Sequence, residues 1–305
     1  MNKIAKFSLS RAVAFALLPL CLVSCAWAQA IQKGQSFEAT WSYAGSSAIS
    51  RMGARSDSSV KYADYAFNYG FGVGEDAVLS AGLSYSKADF SLDYLNPLPR
   101  ELTDLSLNLG VRYGIDEHWN ATLVVAPGYR VAGTKLQAQG LSAPVFMGGS
   151  YAASKNLIWV FGATYNEFSE HPLLPYGGVN WRFAEGWTFS IGYPRTGISY
   201  ALNEKCTLGL GVTAKGGSYY VKDTPLYATA AVVGGPLPST GLKDTFLDYR
   251  EIRAGMTAEY KTTLHSSILV EAGVVTDRKW QYHQANVNYD GKPAAYGSIS
   301  LNLAY

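Results

Sequence analysis

Three things are scarce in this sequence of 305 residues. The first is charge. Asp, Glu, Lys and Arg make up 16% of the chain, against about 25% in soluble domains. The formal net charge is +2 and no basic stripe is present, so nothing marks a nucleic-acid partner. The second is cysteine. Of the 3 cysteines, Cys21 and Cys25 lie in the N-terminal segment and only Cys206 follows it. A lone thiol forms no internal disulfide, and Cys206, in phase with Leu208, Leu210 and Val212, reads as a buried structural residue rather than a nucleophile. The third is the long apolar run. Beyond the N-terminal segment no stretch is long enough to make a membrane-crossing helix. A chain of this kind that enters a bilayer must do so as a closed sheet, because an open edge leaves backbone groups unpaired in lipid.

Motifs for catalysis are equally sparse. There is no Walker loop, dinucleotide fingerprint or paired-Cys metal motif, so no cofactor, no metal site and no catalytic residue is expected. Gly70-Phe71-Gly72-Val73-Gly74 is followed by no helix and reads as a strand entering a turn. His118 and His265 fall in or beside short turns, and His171 and His283 in longer connections. His265-Ser266 is the only His-Ser neighbour, and adjacent strand residues point to opposite faces. A membrane-barrel hydrolase is therefore disfavoured. Glu167, Glu170 and His171 sit near one another in one loop, a pattern that a solvated loop accounts for as well as a metal does.

The N-terminus carries an export signal. Lys3, Lys6 and Arg11 form a positive region, and Ala12 to Val23 an apolar one too short to span a bilayer. Ala26-Trp27-Ala28 then presents a small-x-small cleavage pattern, which places the signal peptide at 1–28 and the mature domain at 29–305. Leu22-Val23-Ser24-Cys25 offers the alternative of lipoprotein processing at Cys25. Both readings take the chain out of the cytoplasm of a Gram-negative bacterium towards its outer membrane.

From residue 37 onward the hydropathy alternates with a period of two. Phe37, Ala39, Trp41 and Tyr43 share one face. So do Tyr65, Phe67, Tyr69 and Phe71, and Leu105, Leu107, Leu109, Val111 and Tyr113. The same alternation recurs at Trp159 to Tyr165, Trp187 to Tyr193 and Ile252 to Tyr260. The apolar face often ends in Tyr or Trp, which suit the bilayer interface. The opposite face is rich in Gly, Ser, Thr and Asn, as a lumen requires. Short turns near 74–76, 114–117, 154–156, 184–186, 203–205 and 262–265 alternate with longer connections. These longer ones are Gly45 to Ser58, Asp89 to Glu101, Arg130 to Gly140, Glu167 to Pro175, Asp223 to Leu247 and Lys279 to Pro293. The connection Pro194 to Gly197 breaks the rhythm. The expected fold is all-β: an antiparallel up-and-down transmembrane β-barrel of about 14 strands, or 12 if Gly197 to Leu202 belongs to a bent strand. The long Asp223–Leu247 connection could fold inward as a constriction or cap the mouth. At the C-terminus Gly297, Ile299, Leu301, Leu303 and Tyr305 share a face, an alternating strand closed by an aromatic. This resembles the signal read by the barrel assembly machinery.

Two stretches carry a family resemblance. One runs from Leu174-Pro175-Tyr176-Gly177-Gly178-Val179-Asn180-Trp181 through Gly186-Trp187-Thr188 to Tyr193-Pro194-Arg195-Thr196-Gly197. The other is Asp248-Tyr249-Arg250-Glu251-Ile252-Arg253-Ala254-Gly255, with Glu259-Tyr260 following. They resemble an uncharacterised, porin-like family of outer-membrane β-barrels defined by a domain of unknown function. The resemblance implies a barrel and supplies no substrate.

The remaining information is in the charges on the small polar face: Glu38, Asp64, Asp104, Arg112, Arg182, Glu251, Arg253, Glu259, Lys261 and Glu271. A cationic side chain facing lipid near the midplane costs about 2–4 kcal/mol, so these are expected to point inward. They either line a water-filled path or pair with each other and close it. The expected function is a passive channel for small solutes, embedded in outer-membrane lipid. A closed structural or adhesion barrel acting through its external loops is the alternative.

Overall fold

The computed structural model describes residues 31–305 except 52–53, 93–97, 134, 136, 193–194 and 224–241. The expected export segment and most of the Asp223–Leu247 connection thus lie outside the described residues.

The segments in chain order are β1 (Gly34–Arg51), β2 (Ala54–Val73), β3 (Ala77–Leu92), β4 (Glu101–Gly114), β5 (Trp119–Val125), β6 (Gly128–Ala132), β7 (Leu141–Ser142), β8 (Val145–Ser154) and β9 (Leu157–Tyr165). There follow β10 (Leu173–Ala184), β11 (Trp187–Ile191), β12 (Arg195–Ala201), β13 (Cys206–Asp223), β14 (Lys243–Thr263), β15 (Ser266–Tyr282), β16 (Val287–Gly291) and β17 (Ala294–Ala304). Three staves are broken in two: β5 with β6, β7 with β8, and β16 with β17. Together the segments make a closed barrel of 14 antiparallel staves. Closure is made by β17 on β1, from Ser36↔Ala304 to Ala44↔Tyr296. Gln35 and Tyr305 complete it, each donating its N–H to the other's carbonyl at 2.8 Å. The C-terminal aromatic strand therefore carries half of the seam.

The period-two pattern places its apolar face outward. Phe67, Tyr69, Leu83, Leu107, Leu109, Phe161, Leu210, Met256 and Ile299 are all exposed. Burying them in water-free surroundings is favourable by about 25 cal/mol per Å² of apolar area, which here only a bilayer can provide. Aromatics cluster towards the margins of this band. Trp41, Tyr65 and Tyr85 pack at one level, with Trp41 Nε1 donating to Tyr65 Oη at 3.0 Å. Trp187 lies 4.7 Å from Tyr200 and Trp119 4.6 Å from Tyr151 near the short turns. No helix among the described residues is long and apolar enough to cross a membrane.

The barrel departs from the sequence expectation in three ways. The span Gly45 to Ser58, expected as a loop, is largely strand: β1 and β2 stay paired from Ser47↔Ser58 to Arg51↔Ala54. Much of Lys279 to Pro293 is strand as well, in β15 and β16, whereas the Gly197 to Leu202 segment forms a separate strand, β12, as the count of 14 expects. Polar residues misled the reading, because the tall strands run past the apolar band and need no apolar face there. Second, the rim is slanted. β14 has 21 residues and β2 has 20, whereas β11 has 5 and β12 has 7.

Third, one parallel contact is added to the up-and-down antiparallel order. The broken staves kink side by side at Pro127 and Pro144, where Ala126 N–H donates to Pro144 O at 3.0 Å and Leu107 N–H to Pro127 O at 2.9 Å. Proline has no N–H to continue a ladder. Above the kink β6 leaves its neighbour and meets β13 in a parallel contact, Tyr220↔Val131. The upper storey is thus a smaller ring: β6, β4, β3, β2, β1, β16, β15, β14 and β13.

Leu301 lies in phase with the exposed Ile299, and Asn302 in the opposite phase. Leu301→Arg therefore places a cation outward, at about 2–4 kcal/mol near the midplane. It is expected to reduce the heat-modifiable folded band on gels strongly, while Asn302→Arg leaves it intact. Equal yields would invert the facing assignment.

Candidate functional site

The lumen has two storeys of different character. The upper ring is filled by side chains. Trp280, Tyr249, Tyr282, Leu98, Leu102 and Leu247 are fully buried there, with Phe90, Tyr62 and Tyr219 packed among them. At its centre the Glu251 carboxylate is shared by two guanidiniums. Arg278 Nε donates to Oε1 at 2.7 Å, and Arg253 Nε to Oε2 at 2.8 Å. Tyr249 Oη donates to the same Oε1 at 2.7 Å and meets Tyr62 Oη at 2.5 Å. Arg253 NH1 and Arg278 NH1 reach Ser42 and Ser47 on β1, at 3.3 and 3.2 Å. Two cations around one anion hold β14 and β15 to β1 past the intervening stave, and the buried side chains around them fill the axis at this level.

A β-bulge makes this possible. Ile252 pairs with Asp277 but Arg253 with Val275, so Thr276 is an extra residue whose hydroxyl donates to Ile252 O at 3.2 Å. Below it Glu271 and Val275 face inward; above it Arg278, Trp280 and Tyr282 do. Strict alternation from Glu271 sends the latter three outward, which is why sequence reasoning missed them.

Of the residues expected to line the lumen, Glu251 and Arg253 meet in the seal. Asp64 accepts from Ser86 at 2.5 Å and is paired with Lys215, whose ammonium lies 4.4 Å from the Tyr62 ring centre. Asp104 pairs with Arg130 Nε at 3.0 Å, and Arg130 also donates to Ser106 and Ser142 at 2.7 and 2.6 Å. This bracket ties β4, β6 and β7 just above the kink. Arg130 had been placed at the start of a loop. Glu38 is half-buried and accepts from Thr40 at 3.3 Å. Glu271 accepts from Arg195 at 2.5 Å and from Tyr296. Arg112, Arg182, Glu259 and Lys261 lie towards the short-turn end, outside these clusters, with Arg182 and Lys261 exposed. The charges that meet thus do so mostly as pairs, each sign neutralising the other.

The lower storey is less completely filled. Ile31 is buried against Val78, Val124 and Ala126 on one side of it. The chain enters so closely that a Cβ on Gly110 would come within 2.7 Å of Ile31, and one on Gly70 within 1.8 Å of Gln32 O. On the other side lies a cavity of about 290 Å³ bordered by Tyr176, Asn180, Ser190, Arg195, Ser199 and Thr257. Arg195 NH1 donates to Thr257 at 2.9 Å. Tyr176 stacks on Phe146 with ring centres 5.1 Å apart, above Gly148 and Gly162. Its buried hydroxyl has no hydrogen-bond partner among the described residues.

The wall beside this cavity is incomplete. β10 pairs with β11 only from Val179 downward, and β13 with β12 only up to Thr213. The upper edges, residues 173–178 of β10 and 214–219 of β13, have no ladder partner on their facing sides among the described residues. The tip of the β9–β10 hairpin bridges above them to the outer face of the upper ring. There Phe168 stacks on Phe246 at 4.6 Å, Glu170 N–H donates to Asp248 Oδ2 at 3.0 Å, and Gln281 donates to Glu170 at 2.7 Å. His283 Nδ1 lies 3.5 Å from the same Asp248 oxygen. Of the residues considered for a metal, Glu170 and His171 are 3.9 Å apart, while Glu167 accepts instead from Ala143 N–H at 2.9 Å.

A slanted, kinked barrel with a lipid-compatible exterior, a filled upper storey and a cavity in the lower one is a membrane β-barrel of the outer-membrane type. The chain belongs to the family described as a domain of unknown function, DUF6268, whose model matches residues 75–299. No curated protein matches it. Among solved structures it is similar to the COG4313 outer membrane channel from Pseudomonas putida F1, at 10% identity and a TM-score of 0.50, over 93% of this chain and 100% of that one. It is also similar to a ΔS2 mutant of the TodX monoaromatic hydrocarbon channel, at 13% identity and a TM-score of 0.53, over 92% and 93%. Likeness at these identities shows a shared barrel fold.

Two outcomes follow from the seal and the hairpin tip. Glu251→Gln leaves two buried guanidiniums without their anion and is expected to cost about 3–5 kcal/mol, read as a lower denaturant midpoint together with a rise in planar-bilayer conductance. The Asp248 carboxylate raises the His283 pKa above its ordinary value, chiefly by hydrogen bonding. The stabilisation is therefore complete below the ordinary histidine range and is lost as pH rises through the raised value. Amide exchange at Glu170, corrected for its intrinsic rate, is expected to accelerate over that interval, and His283→Gln to remove the step.

Proposed function

We propose that this barrel is a passive channel in the bacterial outer membrane for small solutes, with the lower lumen as its conducting chamber. The observation that carries the reading is the cavity of about 290 Å³, bordered by Asn180, Ser190, Ser199 and Thr257 among smaller and apolar residues. A structural core has no need of such a space, since interiors pack to near-crystalline density. Because Arg195 there is neutralised by Glu271, the chamber favours uncharged solutes over ions. The TodX fold neighbour, a monoaromatic hydrocarbon channel by name, accords with that preference. In this reading the short turns face the periplasm, the assembly machinery inserts the chain through its terminal strand, and no chemistry is performed on the solute.

The second reading is a closed barrel acting through its outer surface, and the filled upper ring favours it. Permeation of proteoliposomes by small uncharged solutes separates the two. A channel admits them above the protein-free rate, and Ser199→Trp, which fills the chamber, lowers that rate at least fivefold. Permeation at the protein-free rate by correctly folded protein would leave only the closed barrel.

A further inference from the structure

The upper ring closes the axis, so a conducting lower chamber needs another outer mouth. We propose that the gap between the upper edges of β10 and β13 is that mouth: a lateral port admitting small uncharged molecules with an apolar body from the outer leaflet into the lower lumen. The inference rests on the channel reading above and specifies its route and solute class.

The first argument is length. A tilted strand needs about 9–11 residues to cross the hydrocarbon layer; β11 has 5 and β12 has 7. The hairpin between β10 and β13 therefore stops short of the upper margin of the apolar band. The second is backbone accounting. Unpaired strand edges at membrane depth are tolerated where they line a cavity or are covered by protein. The hairpin tip covers them from above, fastened by Phe168, Glu170 and Asp248, and the cavity lies beside them. The third is the make-up of the boundary. Gly177 and Ile191, on the outward phase, border the same cavity as Tyr176, Ser190 and Arg195 on the inward phase. The space thus reaches both sides of the wall at this point.

The boundary also specifies what passes. Leu173 and Ile191 present an apolar approach from outside. Inside, the Tyr176 ring, stacked on Phe146, lines the cavity beside Ser190 and Ser199. The one ion pair at the cavity, Arg195 with Glu271, is already neutral. A molecule with a flat apolar body and no net charge is matched at each stage, whereas an ion would leave its hydration at the port with nothing to replace it.

The experiment uses the full barrel in proteoliposomes, with Cys206→Ser as background and Ser190→Cys as a reporter thiol in the chamber. One reagent, N-pyrenylmaleimide, is delivered from the lipid; the other, a methanethiosulfonate bearing a sulfonate, from water at the open lower end. Gly177→Trp and Ala214→Trp, separately and together, place bulk on the outer side of the two port edges. A Cβ on Gly177 meets nothing nearer than 3.9 Å, and a heat-modifiable band checks folding of each variant. The expected result is rapid labelling by the maleimide, slowed at least tenfold by the tryptophans, with sulfonate labelling unchanged. Maleimide labelling unaffected by either tryptophan in folded protein would overturn the port and leave the channel standing, since the reagent would then arrive along the axis. A thiol at position 190 that neither reagent reaches would overturn the channel reading, and the port with it.

Discussion

A sheet immersed in lipid cannot leave its edges bare, and this barrel obeys that rule by two different closures. In the lower storey fourteen staves close through the pairing of the C-terminal strand with the N-terminal one. In the upper storey a smaller set closes through a single parallel contact between Val131 and Tyr220. The switch between them is made by Pro127 and Pro144, two residues that cannot donate to a ladder and so release the broken staves at one height. The slanted rim, the short β11–β12 hairpin and the filled upper ring all follow from that change of circumference. A ring of fewer strands has a narrower bore, and aromatic side chains suffice to fill it.

The division also separates two uses of charge. In the narrow storey Glu251, Arg253 and Arg278 are dehydrated and mutually satisfied, and their fork-shaped hydrogen bonds fix one arrangement of three strands. Such a cluster adds little net stability over a well-packed apolar core; its value lies in specifying how the walls meet. In the wide storey Arg195 borders the cavity and is neutralised by Glu271 behind it. The same residue types thus serve closure above and, in the proposed channel, selectivity below, and the difference comes from the radius of the ring that carries them.

Much of this fold is legible in the sequence, because lipid outside and polar groups inside impose an unbroken period of two on every strand within the apolar band. Phe67, Leu83, Leu107 and Ile299 read outward from the alternation alone, and Asp64, Asp104, Glu251 and Glu271 read inward. The pattern fails where its physical cause ends. Residues 47–51 and 54–58 stand above the band, so their mixed polarity looks like a loop although the ladder continues. Arg278 and Trp280 follow a bulge that no local composition announces. Arg130 lies beyond a proline that ordinarily ends a strand and here redirects it. The gap between β10 and β13 is invisible for another reason: it is a property of which strands are neighbours and how far each one reaches, and a single sequence records neither.

The bulge at Thr276 makes the seal a matter of counting. Composition on either side of it could drift freely while the inward phase was preserved, yet drawing Thr276 into the ladder as an ordinary paired residue would turn Arg278, Trp280 and Tyr282 out of the ring together and bring Asp277 and Lys279 in. Relatives that share this barrel need not share its closure. A reader comparing them should look first at the parity of the interval between Glu271 and the next aromatic, because an even interval carries no phase change and an odd one does: here Glu271 and Trp280 both face inward across an odd number of steps.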